Sequence, residues 1–235
     1  IRVVIDGVFN HAGLGFFAFE DVRKNGAASR FRDWFHVESW DDPGTPDDEF
    51  RWRGWHGIAE LPEFAETATD DTGDLVPGVK AYLMAVTRRW MAPDGDVSRG
   101  VDGWRLDVAW MVPNAFWREW NALVHGLNPS AYTVTEIWKD AHDVTLAGGF
   151  DATMNYEGFA MPVKGWLFDT AITPTEFAAW LDRTRAAWPA PTALRLQNLL
   201  DSHDTPRAAS AAFDGRAGKK YKKRHEFDLA VSGSV

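Results

Sequence analysis

The sequence predicts an α/β fold built on a parallel sheet, and three observations carry that expectation. Short apolar runs recur along the chain, helical patterns stand between them, and ionisable residues gather at the C-terminal ends of the runs. The runs are Ile1-Arg-Val-Val-Ile-Asp6, Val101-Asp-Gly-Trp-Arg-Leu-Asp107, Ala131-Tyr-Thr-Val-Thr-Glu136, Phe150-Asp-Ala-Thr-Met-Asn155 and Leu194-Arg-Leu-Gln-Asn-Leu-Leu-Asp201. Each is short and apolar or β-branched, as strands buried on both faces are.

Helices are expected in the intervals. Val79, Leu83, Val86 and Trp90 fall at i, i+4, i+7 and i+11, with Pro77 near the start. Phe116, Trp117, Trp120, Leu123 and Val124 repeat at helical spacing between Pro113 and Leu127. Thr173-Pro-Thr-Glu176 has the form of a capping box with proline at the first helical position, and Phe177, Trp180, Leu181 and Trp188 continue an apolar stripe. The interval from Asp6 to Val101 is far longer than one helix needs. Residues 12–72, rich in Gly, Asp, Phe and Trp and poorly periodic, read as an inserted subdomain. From Gly215 a basic run of Arg216, Lys219, Lys220, Lys222, Lys223 and Arg224 lacks any apolar pattern and reads as a solvated tail.

Composition narrows the function classes. Of the 235 residues 45% are hydrophobic and 25% charged, an ordinary globular mixture. The net charge of −9 disfavours a nucleic-acid partner, and no apolar stretch is long enough for a membrane span. With no cysteine there is no disulfide, thiolate metal site or Cys nucleophile. Thirteen Trp and fifteen Phe supply either core packing or flat faces for sugar rings, and composition does not separate the two. Residue 1 is Ile and already opens an apolar run, so the chain is expected to be cut from a longer one.

The strand ends carry Asp6, then Arg105 with Asp107, then Glu136, then His203 with Asp204. In parallel α/β architectures that edge holds the active site. A two-residue period sets Arg105 and Asp107 on one face of their strand. A carboxylate beside a guanidinium keeps its charge and suits a nucleophile, although a structural ion pair reads equally well from these residues alone. Glu136, followed by Ile137-Trp138, sits against aromatic surface that would strip its solvent and favour the protonated form a general acid needs. Adjacent His203 and Asp204 cannot serve Ser202 as a triad, and no G-x-S-x-G is present. His225-Glu226 lacks a second His at 229, and Asp94-Gly-Asp96 lacks the rest of a calcium loop. Several carboxylates, with His11 after the first run and His203 after the fifth, come from separate strand ends and fit glycoside cleavage.

These segments resemble a known family. Asp6-Gly-Val-Phe-Asn-His11, Gly103-Trp-Arg-Leu-Asp-Val-Ala109, Thr135-Glu-Ile-Trp138 and Leu200-Asp-Ser-His-Asp204 are similar to the four conserved regions of the α-amylase family of glycoside hydrolases, in family order. The resemblance implies a (β/α)8 barrel with a subdomain inserted after the third strand. The visible strands would be the third to seventh, giving an incomplete barrel over residues 1–11 and 73–214, an inserted subdomain over 12–72 and a basic tail over 215–235. It further implies Asp107 as nucleophile, Glu136 as acid/base and Asp204 as transition-state stabiliser. Arg105 would orient Asp107, while His11 and His203 bind the sugar. Asp6 would be structural, and Asn10 is a calcium-ligand position in many relatives. No cofactor is implied for the chemistry.

Phe16-Phe-Ala-Phe-Glu-Asp-Val22, Asp33-Trp-Phe35, Trp55-His-Gly57 with Leu61-Pro62, Glu136-Ile-Trp138 and Met154-Asn-Tyr156 look like the neopullulanase, cyclomaltodextrinase and maltogenic-amylase branch. That branch implies an α-glucan or maltooligosaccharide substrate, Trp55 and Trp138 among the residues that contact it, and dimerisation through an N-terminal domain outside this chain. Trp110, Glu63 and Thr135 depart from the branch, where Asn, a basic residue and Gly are common. Transglycosylation by the same intermediate and a non-catalytic homologue are the competing readings. A five-strand piece leaves open sheet edges, so these 235 residues alone are expected to fold poorly and to be inactive.

Overall fold

The computed structural model describes residues 1–70 and 72–213. The basic run expected from Gly215 onward lies outside the described residues. Among the described residues two compact units emerge, one within residues 1–135 with 146–150, the other within residues 136–145 and 151–213.

In chain order the first unit holds β1 (Val4–Gly7), α1 (Phe17–Asn25), β2 (Val37–Ser39), β3 (Arg51–Trp52), α2 (Pro77–Met91), β4 (Gly103–Leu106), α3 (Asn114–Leu127) and β5 (Tyr132–Thr135). β4 pairs in parallel with β1 on one side and β5 on the other. Parallel neighbours need crossovers, which α2 and α3 supply. A Cβ on Gly103 would meet the Tyr132 carbonyl oxygen at 2.1 Å, so glycine is what lets β5 approach the start of β4.

The crossover helices bury their expected faces, with one correction. α2 begins at Pro77 and buries Val79, Leu83, Thr87 and Met91. Trp90, expected on that stripe, is 54% exposed. The buried row advances in steps of four residues, each turning about 40° around the axis, so by the last turn it has wound away from Trp90. α3 buries Phe116, Trp117, Trp120 and Val124, while Leu123 is half-buried. Its indoles are satisfied as well as buried: Trp120 Nε1 donates to Thr87 Oγ1 (2.7 Å) and Trp117 Nε1 to the Ala109 carbonyl (2.8 Å). Phe9 and Trp104 complete this aromatic core. Truncating such a ring costs roughly 3–5 kcal/mol through the cavity it opens.

Val3 and Val4 are exposed, as at an open sheet edge. Among the described residues β4 alone pairs with β1, which makes it an edge strand of this sheet. The segment 12–72 is also more ordered than its periodicity suggests. α1 buries Ala18, Phe19 and Val22, a stripe hidden in the sequence by the aromatic residues around it. Phe19 packs edge-on against Phe35 and Trp52, so tertiary contacts hold this nine-residue helix. β2 and β3 form an antiparallel pair beside it.

After β5 come α4 (His142–Gly148), β6 (Ala152–Thr153), α5 (Met161–Leu167), α6 (Pro174–Ala187), α7 (Ala190–Ala193) and α8 (Ala208–Phe213). The capping box is formed: Thr173 Oγ1 accepts from the Glu176 amide (3.2 Å), and Glu176 Oε2 accepts from the Thr173 amide (2.7 Å). The helix it starts buries no residue fully, and Phe177, Trp180, Leu181 and Trp188 are half-buried, less than their stripe suggests. Phe177 stacks on Trp166 of α5 at 4.6 Å, a contact on one side only of the helix. The run Leu194–Asp201, expected as a fifth strand, reduces to one parallel bridge between Met154 and Gln197. Two hydrogen bonds make it, Gln197 amide to Thr153 carbonyl and Asn155 amide to Gln197 carbonyl. The run is leucine-rich and has no β-branched residue, so little beyond those bonds favours extension.

Candidate active site

Each unit carries part of the expected constellation. In the first, the register sets Asp6 beside Arg105 across the β1–β4 pair. Arg105 reaches along its own strand to Asp107 as well. Its Nη1 donates to Asp6 Oδ1 (2.8 Å) and to Asp107 Oδ1 (2.7 Å). Burial alone would lower the guanidinium's pKa, but the hydrogen bonds and charges of Asp6 and Asp107 outweigh it and raise the value above the ordinary one. The Asp107 amide donates to the Gly7 carbonyl (3.1 Å), so its backbone is tied to the end of β1. Asp6 therefore positions Arg105, and Arg105 positions Asp107.

His11 lies in the same unit. Phe64 donates its amide to the Asn10 carbonyl and Ala12 to the Pro62 carbonyl, which zips Asn10–Ala12 to the Pro62–Phe64 segment. His11 is buried, and its ring stacks on Trp55 at 5.1 Å with 23° between planes. Trp55 Nε1 donates to Met111 Sδ (3.1 Å). Desolvation lowers the His11 pKa, against the opposing charges of Asp107 and Glu63. Glu63 is buried and paired with Arg53, a partner ten residues away that the sequence reading did not identify. The Asn10 amide nitrogen faces His11 Nδ1 at 3.3 Å. Among the described residues no three His, Asp or Glu side chains converge on a common point. Calcium also takes Asn and backbone carbonyl oxygens, so Asn10 keeps the ligand position that the resemblance implies for it, and no step below passes through a metal.

Acid should loosen this unit through two histidines. Burial lowers the pKa of His36 as well, and the Arg53 charge adds to the effect. Groups whose folded pKa is depressed below the unfolded value of about 6.5 leave the unfolded chain binding more protons. Stability is then full above about pH 6.5 and is lost as the pH falls from there through the folded values. The denaturant midpoint of the full-length protein is expected to drop between about pH 7.5 and about 5.5, and His36→Gln should flatten part of that drop. A midpoint that rises over this interval would contradict the assignment.

In the second unit Glu136 stands just past β5 and is buried. Its Oε1 accepts a hydrogen bond from Trp138 Nε1. Trp138, 39% exposed, stacks on Tyr156 at 4.7 Å with 17° between planes. Tyr156 is buried and donates its hydroxyl to Ser202 Oγ (2.9 Å), and Ser202 Oγ accepts from the Asp204 amide (3.2 Å). One chain of contacts therefore runs from the Glu136 carboxylate to the turn carrying Asp204. Sequence reasoning flagged Tyr156 only as part of a motif; its link to Ser202 spans 46 residues. His203 Nε2 lies 3.3 Å from Asp204 Oδ2, and both side chains are exposed.

Comparison with known proteins follows the same lines. The model of the family described as "Alpha amylase, catalytic domain" matches residues 1–232. The chain is 41% identical to neopullulanase 2 of Thermoactinomyces vulgaris, over 100% of this chain and 37% of that protein. It is 36% identical to a cyclomaltodextrinase of Geobacillus thermopakistaniensis, again over 100% of this chain and 37% of the relative. The chain thus spans about a third of the length of these curated relatives. Among solved structures it resembles the cyclic α-maltosyl-(1→6)-maltose hydrolase of Arthrobacter globiformis in complex with that cyclic sugar, with TM-score 0.77, 34% identity, and coverage of 92% of this chain and 46% of that one. The debranching enzyme of Nostoc punctiforme gives TM-score 0.77 at 31% identity, covering 95% of this chain and 46% of that one. The fold class is that of a partial (β/α)8 barrel, as expected.

Proposed function

The chain belongs to the α-amylase catalytic-domain family, and from that premise we propose that the protein is a retaining α-glucan hydrolase acting on cyclic maltooligosaccharides and starch-like chains. Two carboxylates held in opposite ways support this reading: Asp107 against the Arg105 guanidinium, and Glu136 buried against an indole N–H. Retaining glycosidases divide their labour in this manner.

In the first step Asp107 attacks the anomeric carbon while the bond to the leaving oxygen breaks and Glu136 gives that oxygen its proton. A glucosyl ester on Asp107 results. In the second step Glu136 takes a proton from water as the water attacks the same carbon, freeing Asp107. Arg105 fixes the attacking carboxylate and Asp6 fixes Arg105. Asp204 stabilises the oxocarbenium-like transition state. His11 and His203 hold hydroxyls of the cleaved ring, and Trp55 and Trp138 offer faces to neighbouring sugars. The named activities of the relatives, neopullulanase and cyclomaltodextrinase, support a maltooligosaccharide substrate and favour cyclic ones.

The test is reducing-sugar release by the full-length protein from β-cyclodextrin and from soluble starch. Faster turnover of cyclodextrin is expected. A preference for starch would overturn the cyclic substrate, and no release from either would overturn α-glucan hydrolysis.

A further inference from the structure

Resting on the α-glucan reading above, we propose that Glu63 is a positioning residue for His11, which holds the cleaved sugar in that reading. Paired with Arg53, it closes the base of a hairpin, residues 53–63, that keeps the His11 ring in place. The hairpin is built from the backbone outward. The Glu63 amide donates to the Arg53 carbonyl (3.1 Å), and the Trp55 amide to the Leu61 carbonyl (2.9 Å). Between these bonds Gly54 and Pro62 face each other in an antiparallel bridge. The closure is tight, since a Cβ on Gly54 would meet the Ile58 carbonyl oxygen at 2.0 Å. At the base the Arg53 guanidinium donates to the Glu63 carboxylate.

His11 lies against both arms of this hairpin. The Ala12 amide donates to the Pro62 carbonyl and the Phe64 amide to the Asn10 carbonyl, both at 3.0 Å, and these bonds flank the antiparallel bridge of His11 with Glu63. Such a pair is the non-hydrogen-bonded kind, in which facing side chains come closest and share one side of the ladder. On the other arm Trp55 stacks its ring on His11 at 5.1 Å. The two arms thus fix the imidazole together. His36 adds a further pass, its amide donating to the Glu63 carbonyl (3.4 Å) and its carbonyl accepting from the Arg53 amide (2.8 Å).

Stability alone does not account for the ion pair. Glu63 is buried, while 43% of the Arg53 side chain is exposed. Burying a carboxylate is costly, and apolar residues of similar volume often serve stability as well or better. What the pair adds is direction. A charge-assisted hydrogen bond fixes where the two arms meet, and with them the ladder that carries His11. The branch that the sequence resembles commonly carries a basic residue at this position, so an acid at 63 with its base at 53 is a departure of this chain.

Hydrolysis of maltohexaose by the full-length protein, with His11 intact and with His11→Ala, tests the role. Glu63→Met keeps the volume and the backbone bridge and removes the ion pair. It is expected to lower kcat/KM about tenfold with His11 intact and to have no effect once His11 is replaced. Glu63→Gln still offers Arg53 an acceptor and should retain most of the activity. Unchanged kcat/KM in Glu63→Met would overturn the inference alone. So would an equal fall in both backgrounds, or a fall in Glu63→Gln as deep as in Glu63→Met. If Glu63→Met does not fold, Arg53→Lys reads the same coupling. A loss of about threefold confined to the His11 background supports the role, and any other pattern overturns it. A parent protein that releases no sugar from maltohexaose would overturn the α-glucan reading and this inference with it.

Discussion

Asp107→Asn in the full-length protein should lower kcat on maltooligosaccharides by on the order of 10⁴ while shifting the unfolding temperature by only a few degrees. The substitution keeps the shape of the side chain and removes the oxygen nucleophile. Its structural cost is small for a specific reason. Arg105 is held by Asp6 through both carboxylate oxygens, at 2.8 and 3.1 Å, so losing the charge at 107 does not leave the guanidinium without an anion. The Asp107 backbone stays tied to Gly7 whatever the side chain. Activity and stability should therefore separate. Steady-state kinetics with a thermal melt on the same preparation reads both. Residual turnover above about a tenth of the parent value would remove Asp107 from the nucleophile's role.

Much of this half of the site was legible because its residues lie close in sequence or in strand register. Arg105 and Asp107 share a strand face by period alone, and the four motifs gave the strand ends. The capping box at Thr173 and the buried stripe of α3 were readable for the same local reason. What failed depended on contacts that no local pattern encodes. The Leu194–Asp201 run has strand-like hydropathy but leucine-rich chemistry, and one bridge is all it forms. Trp90 fits the helical repeat, yet the buried row winds past it. Glu63 looked like a simple departure until Arg53 came round to meet it. The outward turn of Trp110 rests on a positive φ at Val108, and nothing about a valine announces that. The aromatic load divides accordingly: Trp104, Trp117 and Trp120 are core, while Trp110 and Trp138 keep faces in solvent.

Glu136→Gln should split the two chemical steps in a way that no structural role would. On maltooligosaccharides the poor leaving group needs a proton, so kcat is expected to fall by about 10³ or more. On α-glucosyl fluoride the leaving group needs none, so the first step should survive. The second step still requires a base for water, and glutamine is not one. The glucosyl ester on Asp107 should then accumulate, visible as a burst of fluoride and as one anhydroglucose unit on the peptide carrying Asp107. Glutamine can still accept the Trp138 N–H through its amide oxygen, which keeps the contact that links this side chain to Tyr156 and Ser202. If fluoride and maltooligosaccharide activity fell together with no burst, Glu136 would be holding the site in shape rather than moving protons. A burst with sugar attached elsewhere would move the nucleophile away from Asp107. A burst with the label on Asp107 assigns both carboxylates in one experiment, because the ester forms only at the nucleophile and persists only when the base is gone.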